Sequence, residues 1–133
     1  MNGPTAFFNR TYDETMSLLL EARNYVAYQE AADQRSLPPA VRLQASYESM
    51  RVTSRLTQVM AWILAQKAVH AGELTQEQAV GDDYALSGGH ICSDPSGPDN
   101  LALPPALRSL LQRSHGLYMR TSRLEDMVRR NVA

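Results

Sequence analysis

The chain has 133 residues, 44% of them hydrophobic, a net charge of −1 and a single cysteine, Cys92. That length suits one domain, 1–133, with a modest core that needs no staples; the lone cysteine excludes an internal disulfide, and no apolar run approaches the roughly 20 residues of a membrane span. The opening Met1-Asn2-Gly3-Pro4 lacks the basic and apolar regions of a signal peptide, so a cytoplasmic protein is expected.

Thr11-Tyr12-Asp13-Glu14 has the form of a capping box. Apolar residues from Tyr12 through Met16, Leu19 and Leu20 to Val26 follow at helical spacing, which predicts helix 1 over about 8–34. Leu37-Pro38-Pro39-Ala40 is a stiff corner, with proline where a first helical turn tolerates it. It launches helix 2, 39–71, stopped by Gly72. Met50, Val52, Leu56, Val59, Met60, Ile63 and Leu64 cover a broad arc of that helix, as suits packing against two neighbours. Thr75-Gln76-Glu77-Gln78 repeats the capping-box form and predicts a short turn near 76–80. Residues 81–102 hold four turn signals, four Asp and no base, and read as a long, partly mobile loop. A second tag, Leu103-Pro104-Pro105-Ala106, launches helix 3, 105–130, whose segment carries a net +4. Gly116 interrupts its stripe, with close helix packing as the expected reason.

The fold class expected is all-α, an antiparallel three-helix bundle with a long loop between helices 2 and 3. Helix 1 runs up, helix 2 down, and the 81–102 segment lets helix 3 return. Met16, Leu20, Met60, Leu64, Leu110, Leu117 and Leu124 are the expected core.

Chemistry-bearing constellations are sparse. His90, Cys92 and Asp94 form the only local group of metal-ligand types, and a structural zinc site needs four ligands. No Gly-rich phosphate loop, Glu-x-x-His or paired inward carboxylates occur. No metal, no cofactor and no enzymatic activity are expected. A small enzyme built on the 90–94 loop remains the rival reading. Arg23 and Glu30 lie within the apolar arc of helix 1 and read as an ion pair. Trp62 falls opposite Met60 and Leu64 on the wheel, among Arg55, Gln58 and Gln66. It is either an interface anchor, with Arg55, Gln58, Gln66 and Val69 as a mixed rim, or a residue covered by the 81–102 loop. Arg108, His115 and Arg123 share an outward strip of helix 3. Such a basic strip can bind phosphates, but without interleaved aromatics or Lys the expectation is no nucleic acid, and rather a solvated face or one for an acidic partner.

Leu19-Leu20-Glu21-Ala22-Arg23-Asn24-Tyr25, Met50-Arg51-Val52-Thr53-Ser54-Arg55-Leu56-Thr57, Ala61-Trp62 and Ala71-Gly72-Glu73-Leu74-Thr75 resemble an alphaproteobacterial family. It is the family of small helical proteins related to the regulator of CtrA degradation, the RcdA-like proteins. The second Leu-Pro-Pro-Ala tag and Ser122-Arg123-Leu124 fit as well. The likeness spans roughly residues 8–130. It implies a three-helix bundle, commonly a homodimer, without catalysis. It also implies an adaptor that hands cell-cycle regulators to the ClpXP protease together with a response regulator. A helical scaffold or regulator with another partner is the alternative.

Overall fold

The computed structural model describes residues 3–132, with side chains from residue 6 onward. Every regular element among them is helical. Three long helices dominate: α1 (Gly3–Tyr28), α3 (Pro39–His70) and α6 (Pro105–Val132). Short helices fill the connections: α2 (Glu30–Arg35), α4 (Gln76–Ala79) and α5 (Gly89–Ser93), with a 3-10 turn at Asp82–Tyr84. The segment read as a bare loop therefore carries helical turns of its own. α3 packs against both α1 and α6, which also touch each other.

The corners behave as proline chemistry dictates. Pro38 caps α3 in an extended conformation and Pro39 takes its first turn. α3 ends where Gly72 adopts φ +79°, the left-handed geometry in which glycine carries no Cβ penalty. Its flank closes the last carbonyls, Glu73 N–H donating to Ala68 O at 2.8 Å. The Thr75 capping box forms in full: Gln78 N–H donates to Thr75 Oγ1, and Thr75 N–H to Gln78 Oε1. The Thr11 box does not, because α1 already begins at Gly3. Thr11 sits mid-helix and its hydroxyl donates to Phe7 O.

Helix directions follow from side-chain pairs. Phe8 meets Trp62 and His70 while Val26 borders Met50, so α1 and α3 are antiparallel. Glu14 pairs with Arg120 and Glu21 with Arg113, so α1 and α6 are antiparallel too. α6 consequently runs parallel to α3, not reversed against it. The physical reason is the length of the 71–104 connection, which travels back along α3 before α6 begins.

The core is formed by Phe8, Leu18 and Tyr25 of α1, Val52, Leu56, Val59, Trp62 and Ile63 of α3, and Leu107, Leu111 and Leu117 of α6. Leu110 and Leu117 are buried as expected, Met16 and Met60 are half-buried, and Leu124 packs on the core margin. Leu20 and Leu64 are corrections: Leu64 is 50% exposed and Leu20 nearly as much. Leu20 lies across α1 from Leu18, Ala22 and Tyr25, and Leu64 across α3 from Arg55 and Trp62, the sides that face the neighbours. Gly116 is another correction, since a Cβ there would meet nothing within 4 Å. Arg23 does not pair with Glu30; it is exposed and donates to Asn24 Oδ1.

Candidate functional site

The chain places its charge chemistry on the inner side of α3. Arg55 has no accessible surface. Its Nε donates to Cys92 O at 2.9 Å and its Nη2 to Asp94 O at 2.6 Å. Its Nη1 donates to Leu111 O at 3.0 Å and to Ser114 Oγ at 3.2 Å. One guanidinium thus ties α3, the 92–94 backbone and α6 together, a task that suits its rigid fork of donors. Burial, with the neighbouring Arg51 charge, lowers its pKa to about 10, so it stays charged at neutral pH.

One turn earlier, Arg51 Nη1 donates to Ser96 O and Oγ, and its Nη2 lies 3.4 Å from both Asp94 Oδ2 and Glu48 Oε1. Glu48 is buried beside it. Desolvation raises the Glu48 carboxyl above its usual range; the Arg51 and Arg55 charges pull against that rise and the Asp94 charge adds to it. Gly97 passes directly over this group. Its φ is +116°, and a Cβ there would sit 2.5 Å from Glu48 Oε2 and 2.8 Å from Leu111 Cδ1. Only glycine lets the backbone close over the buried ions.

Further along, Gln58 Oε1 accepts from Ser87 N–H and Oγ–H, Tyr118 O–H donates to Ser87 O, and Leu86 N–H donates to Glu125 Oε2 at 2.6 Å. Arg108 Nε donates to Pro98 O. The segment expected to be partly mobile is therefore strapped down by side chains reaching its backbone. Its own acids are largely directed outward.

The residues singled out from sequence do not form one surface. Trp62 is 2% exposed, with Phe8 edge-on at 6.0 Å between centroids. It is core within the chain, with Phe8 of α1 packed against it. Arg55 and Gln66 are buried, while Gln58 and Val69 are half-buried. The proposed anchor-and-rim patch on that side of α3 is thus an internal face. On α6, Arg108 is engaged with Pro98, and His115 Nε2 lies 3.0 Å from Ser93 O. Arg123 alone of the three is exposed, so the strip is not a row of free cations. Cys92 is fully buried and desolvation pushes its thiol up, the reverse of an activated nucleophile. Among the described residues no His, Cys, Asp and Glu side chains gather as three or more potential metal ligands.

What sequence reasoning missed is the outer side of α3. Leu43 is 75% exposed, Met50 69%, and Tyr47 and Leu64 about half. A signal for it was present in the charges: Glu48, Arg51 and Arg55 share one side, and backbone carbonyls of a long connection can bury them. Contiguous exposed apolar residues of this size mark interaction surfaces.

The chain is all-helical among the described residues, with buried polar clamps and an exposed apolar helix face, and comparison with known proteins gives its family. The chain belongs to the family described as "Protein of unknown function (DUF1465)", whose model matches residues 4–133. It is similar to RcdA from Caulobacter crescentus CB15, with 36% identity and a TM-score of 0.73 over 91% of this chain and 89% of that one. The RcdA-like resemblance read from the sequence holds across nearly the whole chain. No curated protein sequence matches it.

Proposed function

We propose that this protein is a non-enzymatic adaptor that works by protein–protein contact. As a cytoplasmic homodimer it hands cell-cycle regulators to the ClpXP protease, together with a response-regulator partner. The observation that carries the reading is the likeness to RcdA, 36% identical across 91% of the chain. The arrangement of α3 supports it. Its arginines hold a segment of backbone in place, and Leu43, Tyr47, Met50 and Leu64 are left outside. Among the described residues no helix is long and apolar enough to cross a membrane.

Reconstituted degradation tests this. Purified ClpX, ClpP, ATP, the response regulator and CtrA, the substrate in the family's name, are combined with and without the full chain, and CtrA half-life is followed. The half-life is expected to shorten at least twofold, saturably, when the chain is added. An unchanged half-life at saturating chain and response regulator would overturn the adaptor role.

A further inference from the structure

From Leu43, the outward positions of α3 step by four and three residues in alternation, through Tyr47, Met50 and Ser54 to Leu64 and Ala68. That is the seam of a coiled coil, sustained for about 38 Å at 1.5 Å per residue. No residue on it is charged. Ser54, Thr57 and Ala61 along it are exposed as well. Leu43, Tyr47, Met50 and Leu64 on the seam are left exposed. Val26 of α1 and Glu30 of α2 border it, lining a groove with Ser46, Met50 and Thr53.

The side chains on the seam say what covers it. Laid antiparallel on a second copy, Leu43 faces Ala68, Tyr47 faces Leu64, Met50 faces Ala61 and Ser54 faces Thr57. Large residues meet smaller ones, and the two hydroxyl residues Ser54 and Thr57 meet at the centre. A parallel pairing would instead set Tyr47 on Tyr47 and Ala61 on Ala61, over-filling one layer and leaving a void in another. The flanks are compatible with an identical partner. Gln44, Ser46, Thr53 and Met60 are uncharged, Arg51 is buried under the 94–96 backbone, and Lys67 is held by Asn9 Oδ1 at 2.8 Å. Along the seam itself no like charges are opposed across the pair.

We infer that the outer face of α3 pairs with the same face of a second copy, antiparallel about a two-fold axis passing between Ser54 and Thr57. The inference rests on the homodimer in the reading above and names its seam. A two-fold interface is self-complementary by necessity, and this stripe satisfies that condition along its whole length.

Sedimentation equilibrium of the full chain and of Leu64→Glu, with disulfide mapping, tests it. The wild-type chain is expected to be dimeric. Leu64→Glu should keep its helicity while self-association weakens about 30-fold or more, the size of a hot-spot loss. In an oxidised equimolar mixture of Met50→Cys and Ala61→Cys chains, the mixed disulfide should form in preference to either homodimer; buried Cys92 does not compete. A wild-type chain that stays monomeric assigns the stripe to a different partner and overturns the inference. So does a dimer that survives Leu64→Glu, or cross-linking of Met50→Cys only to itself. Cargo turnover is read separately, so accelerated degradation by a monomeric chain would remove the seam and leave the adaptor role standing. A dimer that moves no cargo would do the reverse.

Discussion

On one side of α3, Glu48, Arg51, Arg55 and Gln66 are buried; on the other, Leu43, Met50 and Leu64 lie open to solvent. The inner side works by directional chemistry. Arg51 and Arg55 find backbone partners on the 92–96 segment and on α6, Glu48 pairs with Arg51, and the apolar residues between them complete the core. The outer side leaves Leu43, Tyr47, Met50 and Leu64 exposed. The contrast teaches that burial on this helix follows what the connecting segment needs, not hydrophobicity alone. The carbonyls at the end of a short helix such as α5, and in the turn after it, must be satisfied, and arginines on α3 do that. Once those arginines turn inward, the 100° spacing of a helix carries Met50 and Leu64 outward.

The comparison can be broken most forcefully at Arg55. Arg55→Ala leaves the 92–94 and Leu111 carbonyls without their shared donor and opens a void beneath them. Urea unfolding should show a loss of about 3 kcal/mol or more. Cys92 in the still-folded variant should react with a thiol reagent that leaves the wild-type chain untouched. A loss below about 1 kcal/mol, with Cys92 still protected, would show that the segment is held by something other than this clamp.

A smaller effect comes from Glu48. Its raised folded value means that, above about pH 4.3, the folded chain keeps a proton that the unfolded chain has released. Stability therefore falls as pH rises through the window between the ordinary and the raised value. Glu21 and Asp94 act oppositely. Hydrogen bonds from Arg113 and from Ser96, respectively, hold them below their ordinary values, so what they contribute is lost as pH falls through those lower values. Thermal melts of wild type and Glu48→Gln across mildly acidic pH should separate the two. The variant should lack the wild-type decline above about pH 4.3; identical slopes would exclude Glu48 as its source.

The smallest stability change is expected on the outer side. Leu64→Ala, measured by urea unfolding at concentrations too low for self-association, should change stability by no more than about 0.5 kcal/mol, as for ordinary surface positions. A loss of 2–5 kcal/mol, typical of a buried leucine, would mean that Leu64 is covered within the chain and that the two sides of α3 are not so different.

Much of the fold was legible in residues 37–39, 72, 75–78 and 103–105. Proline corners, a left-handed glycine and a capping box act through local backbone chemistry, so they mark helix ends whatever surrounds them. The start of α1 was less legible, because Thr11 in capping form has a competing use inside a helix, donating to the carbonyl four residues back. The candidate site was read on the wrong side. A helical wheel for 39–71 shows Trp62 and the arginines on one arc and Leu64 and Met50 on another, and it cannot say which arc meets protein. Phe8 decided the matter for Trp62, and Cys92, Asp94 and Ser96 decided it for the arginines.

The sequence by itself determined an all-helical chain, the three long helices and their corners, and the RcdA-like resemblance. Each of these depends on residues close together in the chain or on a pattern spread along it. Only the tertiary structure decided that α6 runs parallel to α3, that the acidic 81–102 segment is strapped to buried arginines, and that an apolar seam is left outside. Those outcomes depend on partners 37 to 59 residues away for Arg55 alone. A buried charge is tolerated only where such partners converge, and their convergence is a property of packing.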